Sequence, residues 1–205
     1  GIKLFSRYGY DATSTRMIAQ EAGVNLSAIS FHFSGKENLH LACQEFISQK
    51  ASSYYEDAFL EIEGLLTQEY VEAETALSCL QNLIRLQIEI AFGEKYRSSL
   101  KLINWEQTYE NEGVSPVSST IFEKVEKKMA LLLSKVSSMP YSKAIIASRF
   151  INGSVIAFGE HSLLVKYALR DCDDSSAFDL NNALWIRDDI FEYCTILLKN
   201  FLMLS

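Results

Sequence analysis

The sequence predicts an all-α fold, a short helix-turn-helix head followed by a larger helical domain. Three observations carry this. The 205 residues contain only 2 Pro and 9 Gly, so long stretches run without a breaker. Apolar residues return at steps of three and four rather than in alternation. The first fifty residues are punctuated by caps and stops at close intervals, and the rest is not. With 48% hydrophobic and 22% charged residues the chain has the composition of a globular protein. The expected division is a head over residues 1–47 and a second domain over residues 48–205.

The head is built from short elements. Ile2 to Tyr8 forms a helical fragment, and Gly9 stands where a left-handed residue ends a helix. Thr13 or Ser14 caps a second helix that turns Ile18, Ala19 and Ala22 inward and stops at Gly23. Asn25 caps a third. Val24 and Ile29 have the spacing of a hydrophobic staple, and Ile29 and Phe33 share a face. Two short helices joined by Gly23, Val24 and Asn25 make a helix-turn-helix, the geometry that offers its second helix to a DNA major groove. The chain starts at Gly1, inside a helical pattern and without Met, so a preceding segment is expected.

Longer amphipathic helices follow. Glu37 to about Leu66 is one long or broken helix, and about Glu72 to Phe92 carries Leu77, Leu80, Ile84, Ile88 and Ala91 on one stripe. About Lys95 to Tyr109 comes next. Ser115 and Pro116 open a helix along Ile121, Val125, Met129, Leu132 and Val136. Met139 and Pro140 separate it from about Tyr141 to Leu169, apolar nearly all round between Ala144 and Phe158. After the acidic loop Asp171 to Asp179, the last helix shows Ile186, Ile190, Tyr193, Leu197, Phe201 and Leu204, with Leu184, Phe191, Cys194 and Leu198 beside them.

Several function classes find no support. A balance of 19 Lys and Arg against 26 Asp and Glu, net −7, excludes a basic nucleic-acid coat protein but leaves a locally tuned surface open. Cys43, Cys79, Cys172 and Cys194 lie far apart, which argues against a zinc ribbon or redox pair and fits reduced, buried thiols of a cytoplasmic protein. No apolar run approaches the ~18 residues of a membrane span. No nucleophile motif, Gly-rich phosphate loop or dinucleotide fingerprint is present, so no catalytic residue and no cofactor is assigned. His40 and His161 lack partners at metal spacing. The competing class is a helical enzyme or small-molecule carrier in which the N-terminal motif is only a packing unit.

Leu4 to Ile47 resembles the DNA-binding head of the tetracycline-repressor (TetR) family of bacterial regulators. The resemblance lies in Gly9-Tyr10, Thr13-Ser14-Thr15, Ile18-Ala19, Ala22-Gly23-Val24, Phe31-His32-Phe33 and Lys36-Glu37, all in register. It implies a homodimeric, ligand-responsive repressor that holds double-stranded operator DNA and lets go when a small-molecule effector binds its second domain. By position it assigns the major groove to Asn25, Leu26, Ser27, Ala28, Ser30 and Phe31, with Thr15 and Arg16 from the preceding helix, and the phosphates to His32 and Lys36. Two departures stand out. Ser30 replaces the family's usual Tyr, and in residues 1–47 Lys3, Arg7, Arg16 and Lys36 are balanced by Asp11, Glu21, Glu37 and Glu45.

The same resemblance places an effector pocket between the middle helices. Aromatic residues with a few polar groups suit such a pocket, which selects Trp105, Tyr109, Phe122, Phe150, Phe158 and His161, with Glu106 and Asn152 to orient the ligand. Ordinary core positions are the alternative for each. Gly153 and Gly159 inside an apolar helix each cost about 1 kcal/mol relative to Ala, which a close helix contact or room for a ligand offsets. The broad apolar arc of the last helix leads to an expected dimer interface at Phe150, Ile186, Ile190, Tyr193, Leu197 and Phe201, with burial inside one chain as the alternative.

Overall fold

In the computed structural model, residues 1–108, 121, 123–160, 167 and 184–204 are described. Every regular element among them is helical. In chain order these are α1 (Ile2–Ala12), α2 (Thr15–Ala22), α3 (Leu26–Phe33), α4 (Lys36–Thr67), α5 (Ala73–Phe92), a 3-10 turn (Glu94–Tyr96), α6 (Arg97–Thr108), α7 (Glu123–Ser137), α8 (Tyr141–Glu160) and α9 (Leu184–Leu202). None of them is long and apolar enough to cross a membrane. The chain divides into two compact units, Gly1–Ser53 with Lys95–Glu123, and Tyr54–Glu94 with Lys124–Ser205. Residue 47, the expected domain boundary, lies inside α4, and α6 groups with the first unit.

In the first unit, α1 packs against α6 around Phe5, Leu102 and Ile103. Gly9 does not end α1 as the sequence led us to expect. It breaks the helix with φ 77° and ψ 174°, a conformation that needs glycine, and the chain turns helical again as far as Ala12. The buried Thr13 hydroxyl donates to the Gly9 carbonyl at 2.7 Å and so covers an acceptor that the break exposes. Ser14 is the cap of α2, its hydroxyl accepting from the Met17 N–H at 3.2 Å.

The second unit is layered on α5, whose Leu80, Leu83 and Ile84 are fully buried. α5 packs on α8 and on α9. It runs antiparallel to α9, because Gln81 bonds to Thr195 at 3.3 Å while Arg85 lies over the Phe191 ring at 4.4 Å. α7 and α8 form a hairpin closed by the Ser134 hydroxyl donating to the Met139 carbonyl at 2.7 Å. Cys43, Cys79 and Cys194 are free and buried. Burial, with Glu61 alongside, pushes the Cys79 thiol up to about 12, and burial alone pushes Cys194 up to about 11. Cys172 lies outside the described residues.

Candidate nucleic-acid interface

Local chemistry sets the ends of α2 and α3. Gly23 adopts the left-handed conformation at φ 65°, and the Val24 N–H returns to the Ala19 carbonyl at 3.0 Å, closing α2. Two residues later the Asn25 side chain accepts from the Ser27 N–H at 3.1 Å and opens α3. The turn is therefore three residues long, held at its start by the Gly23 backbone and at its end by the Asn25 cap. Ile29 anchors α3 inward with Ile18 and Ala19 of α2, all three buried. Val24 is exposed, so the staple partner expected for Ile29 does not reach the core.

The opposite side of α3 is open. Ser27 and Phe31, four residues apart, share a face, and Phe31 is 84% exposed. Asn25, Leu26, Ser30 and His32 are exposed, Ala28 and Phe33 half-buried. Of the two α2 candidates Arg16 is exposed and Thr15 half-buried. The His32 ring stands edge-on to Phe31 at 5.0 Å. Lys36 is tethered instead of free. Its ammonium donates to the Asp11 carbonyl at 3.2 Å and sits 4.2 Å from the centre of the Tyr10 ring. His40 packs beneath, 4.6 Å from Phe5 and 4.9 Å from Tyr10 between ring centres. Burial and then the Lys36 charge hold the His40 imidazole below its ordinary 6.5.

Of the expected effector residues, Asn152 is buried and donates to Glu126 at 2.9 Å. Glu126 was missed in the sequence, where it follows Val125 on the edge of a stripe. It is buried, and Arg149 closes on the same carboxylate oxygen at 3.0 Å from a side chain 71% exposed. Phe150 and Phe158 face outward, away from that pair. The Trp105 and Glu106 side chains, with Tyr109, Phe122 and His161, lie outside the described residues.

The expected dimer residues divide. Phe150 and Tyr193 are exposed and Leu197 and Phe201 half-buried, whereas Ile186 and Ile190 are buried within the single chain. The last two are therefore corrected to core positions. The buried stripe of α9 is Ile186, Ile190, Cys194, Leu198 and Leu202, a strict step of four, and its outer face carries Tyr193, Ile196 and Met203.

Residues 1–43 match the family model described as bacterial regulatory proteins, tetR family. Over 190 residues the chain is 23% identical to the HTH-type transcriptional dual regulator CecR of Shigella flexneri, a match that covers 91% of this chain and 85% of that relative. The crystal structure of AmtR from Mycobacterium smegmatis superposes with a TM-score of 0.55 at 18% identity, over 96% of this chain and 81% of the other, a likeness of fold.

Proposed function

We propose that this chain is a DNA-binding transcription regulator of the bacterial tetR family rather than an enzyme, and that it works as a homodimeric repressor released from its operator by a small-molecule effector. The observation that carries the reading is the pairing of a three-residue turn with an outward α3: Gly23 and Asn25 hold the turn at its two ends, and Ser27, Ser30 and Phe31 stand clear of the protein. Asn25, Leu26, Ser27, Ala28, Ser30 and Phe31 enter the major groove, Thr15 and Arg16 flank it, and His32 and Lys36 lie towards the phosphates. Residues 1–47 serve as the reading head, residues 48–205 bind effector and partner, and the protein works in the cytoplasm.

Dimer formation is supported by the outer faces of α8 and α9. Ile146 and Phe150 on the first and Tyr193 and Ile196 on the second are large apolar side chains left in solvent. Exposed Lys143 and Arg149 on α8 complement exposed Asp188, Asp189 and Glu192 on α9, so two copies joined through both helices match in charge as well as in apolar surface. The effector acts by differential affinity. It prefers the arrangement whose two heads no longer fit half-sites ~34–36 Å apart. Asn152 and Glu126 are the polar pair best placed to orient it in the second unit. The test is binding of promoter fragments by the full-length chain, followed by a search for compounds that release them. Specific, releasable binding supports the proposal, and binding that no compound affects removes its effector half.

A further inference from the structure

The chemistry of α3 is unusual for a helix that enters a groove. Its eight residues, Leu26 to Phe33, include no Lys, Arg, Asn, Gln, Asp or Glu, so the pairs that name a base by two simultaneous hydrogen bonds are missing from it. What it offers outward is Leu26, Ser27, Ser30, Phe31 and His32, the last assigned above to the phosphates, with Ala28 half-buried at the margin. A serine hydroxyl both donates and accepts, so it tolerates the O4 acceptor of thymine and the N4 donor of cytosine alike. The feature left to separate those two bases is the 5-methyl group, and only an apolar side chain reads it. Phe31 is the most exposed of the large apolar residues among the described residues, at 84%, and its ring stands at right angles to that of His32, 5.0 Å away between centres. It shares the centre of the outer face with Ser27, opposite the buried Ile29.

Resting on α3 as the helix that enters the groove, we propose that the half-site is read chiefly through thymine 5-methyl groups, met by Phe31 with Ala28 beside it. The exposed Arg16 of α2 supplies the charged contact to a guanine at the border of the site. Specificity then comes from shape and buried apolar area, with the serines giving hydrogen bonds that any base accepts. Desolvating one methyl group contributes about 0.8 kcal/mol, which corresponds to a roughly fourfold change in affinity.

The test starts from a randomised duplex pool enriched on the full-length chain. Each thymine of the enriched half-site is replaced in turn by deoxyuridine, which deletes the methyl and nothing else, and affinity is measured by fluorescence anisotropy at fixed salt. One or more positions are expected to weaken binding about fourfold each, and the Phe31→Ala protein is expected to bind the thymine and deoxyuridine duplexes alike. Because Phe31 is exposed, that variant keeps the fold, which circular dichroism checks. An enriched half-site without thymine, a flat deoxyuridine scan, or an F31A protein that keeps the full difference would each overturn this inference while leaving the regulator intact. A pool in which nothing is enriched would overturn both.

Discussion

Gly159 of α8 sits against Ala91 of α5 so closely that a Cβ at position 159 would lie 2.7 Å from the Ala91 Cβ and 2.8 Å from its carbonyl oxygen. A backbone atom cannot give way as a side-chain tip does, so Gly159→Ala is expected to force α8 off α5 and cost about 1–3 kcal/mol. At Gly153, two turns earlier, a Cβ meets nothing within 4 Å. There Gly153→Ala is expected to stabilise the helix by about 0.5–1 kcal/mol. Chemical denaturation of both variants checks the pair, and the two shifts must have opposite signs.

The buried Glu126 carboxylate is held by Arg149 and Asn152 on one oxygen. Arg149→Met removes the positive partner and strands the charge, while Glu126→Leu with Arg149→Met removes both. Most of the Arg149 side chain is in solvent, so we expect the single change to cost only about 1–3 kcal/mol, below the range of a fully buried pair. The double change is expected to recover a large part of that loss. Urea melts of the two variants decide it.

His40 gives the head a sensitivity to acid. Burial first and Lys36 second make it harder to protonate in the folded chain than in the unfolded one. The unfolded state therefore takes up protons first, and the associated stability is present above pH 6.5 and lost as pH falls through the lower folded value. Thermal melts of wild type and His40→Gln between pH 8 and about 5 are expected to show a smaller acid-side fall in the variant.

Salt dependence of DNA binding should be shallow. In the head Lys3 pairs with Glu21 at 3.6 Å and Lys36 is tethered to Asp11 and Tyr10, which leaves Arg7 and Arg16 as the cations most open to phosphate. With Arg16 directed to a guanine, Arg7 alone in each of two heads, at ~0.9 per neutralised phosphate, gives a slope of about −2 in log affinity against log salt for the 205-residue chain. Arg16→Ala is expected to weaken specific binding by roughly 1–3 kcal/mol. Anisotropy titrations across a salt series read both quantities.

The parts of the fold that were legible in the sequence are those set by neighbours in the chain. Ser14, Gly23 and Asn25 each act within a few residues of themselves, so the ends of α2 and α3 and the turn between them follow from local capping and backbone chemistry. Gly9 shows the limit. A glycine marks where a chain departs from helix, but the carbonyl that Thr13 captures lets the helix resume, and that bond lies in the packed structure. The last helix shows another. Its apolar arc is wide enough for two faces, and only packing on α5 decides that the step of four from Ile186 to Leu202 turns inward while Tyr193 and Ile196 stay out. Glu126 was hidden for a related reason, because its partners stand on α8, more than twenty residues away.

The most direct measurement is the affinity of the full-length chain for an enriched duplex against a scrambled duplex of the same length and composition, repeated with Phe31→Ala and Arg16→Ala. Preference for the enriched duplex by at least about a thousandfold, two chains bound per duplex, and a clearly smaller preference in both variants are the results expected here. Equal binding of both duplexes, or a preference that neither substitution disturbs, would contradict the assignment of α3 and Arg16 as the reading surface.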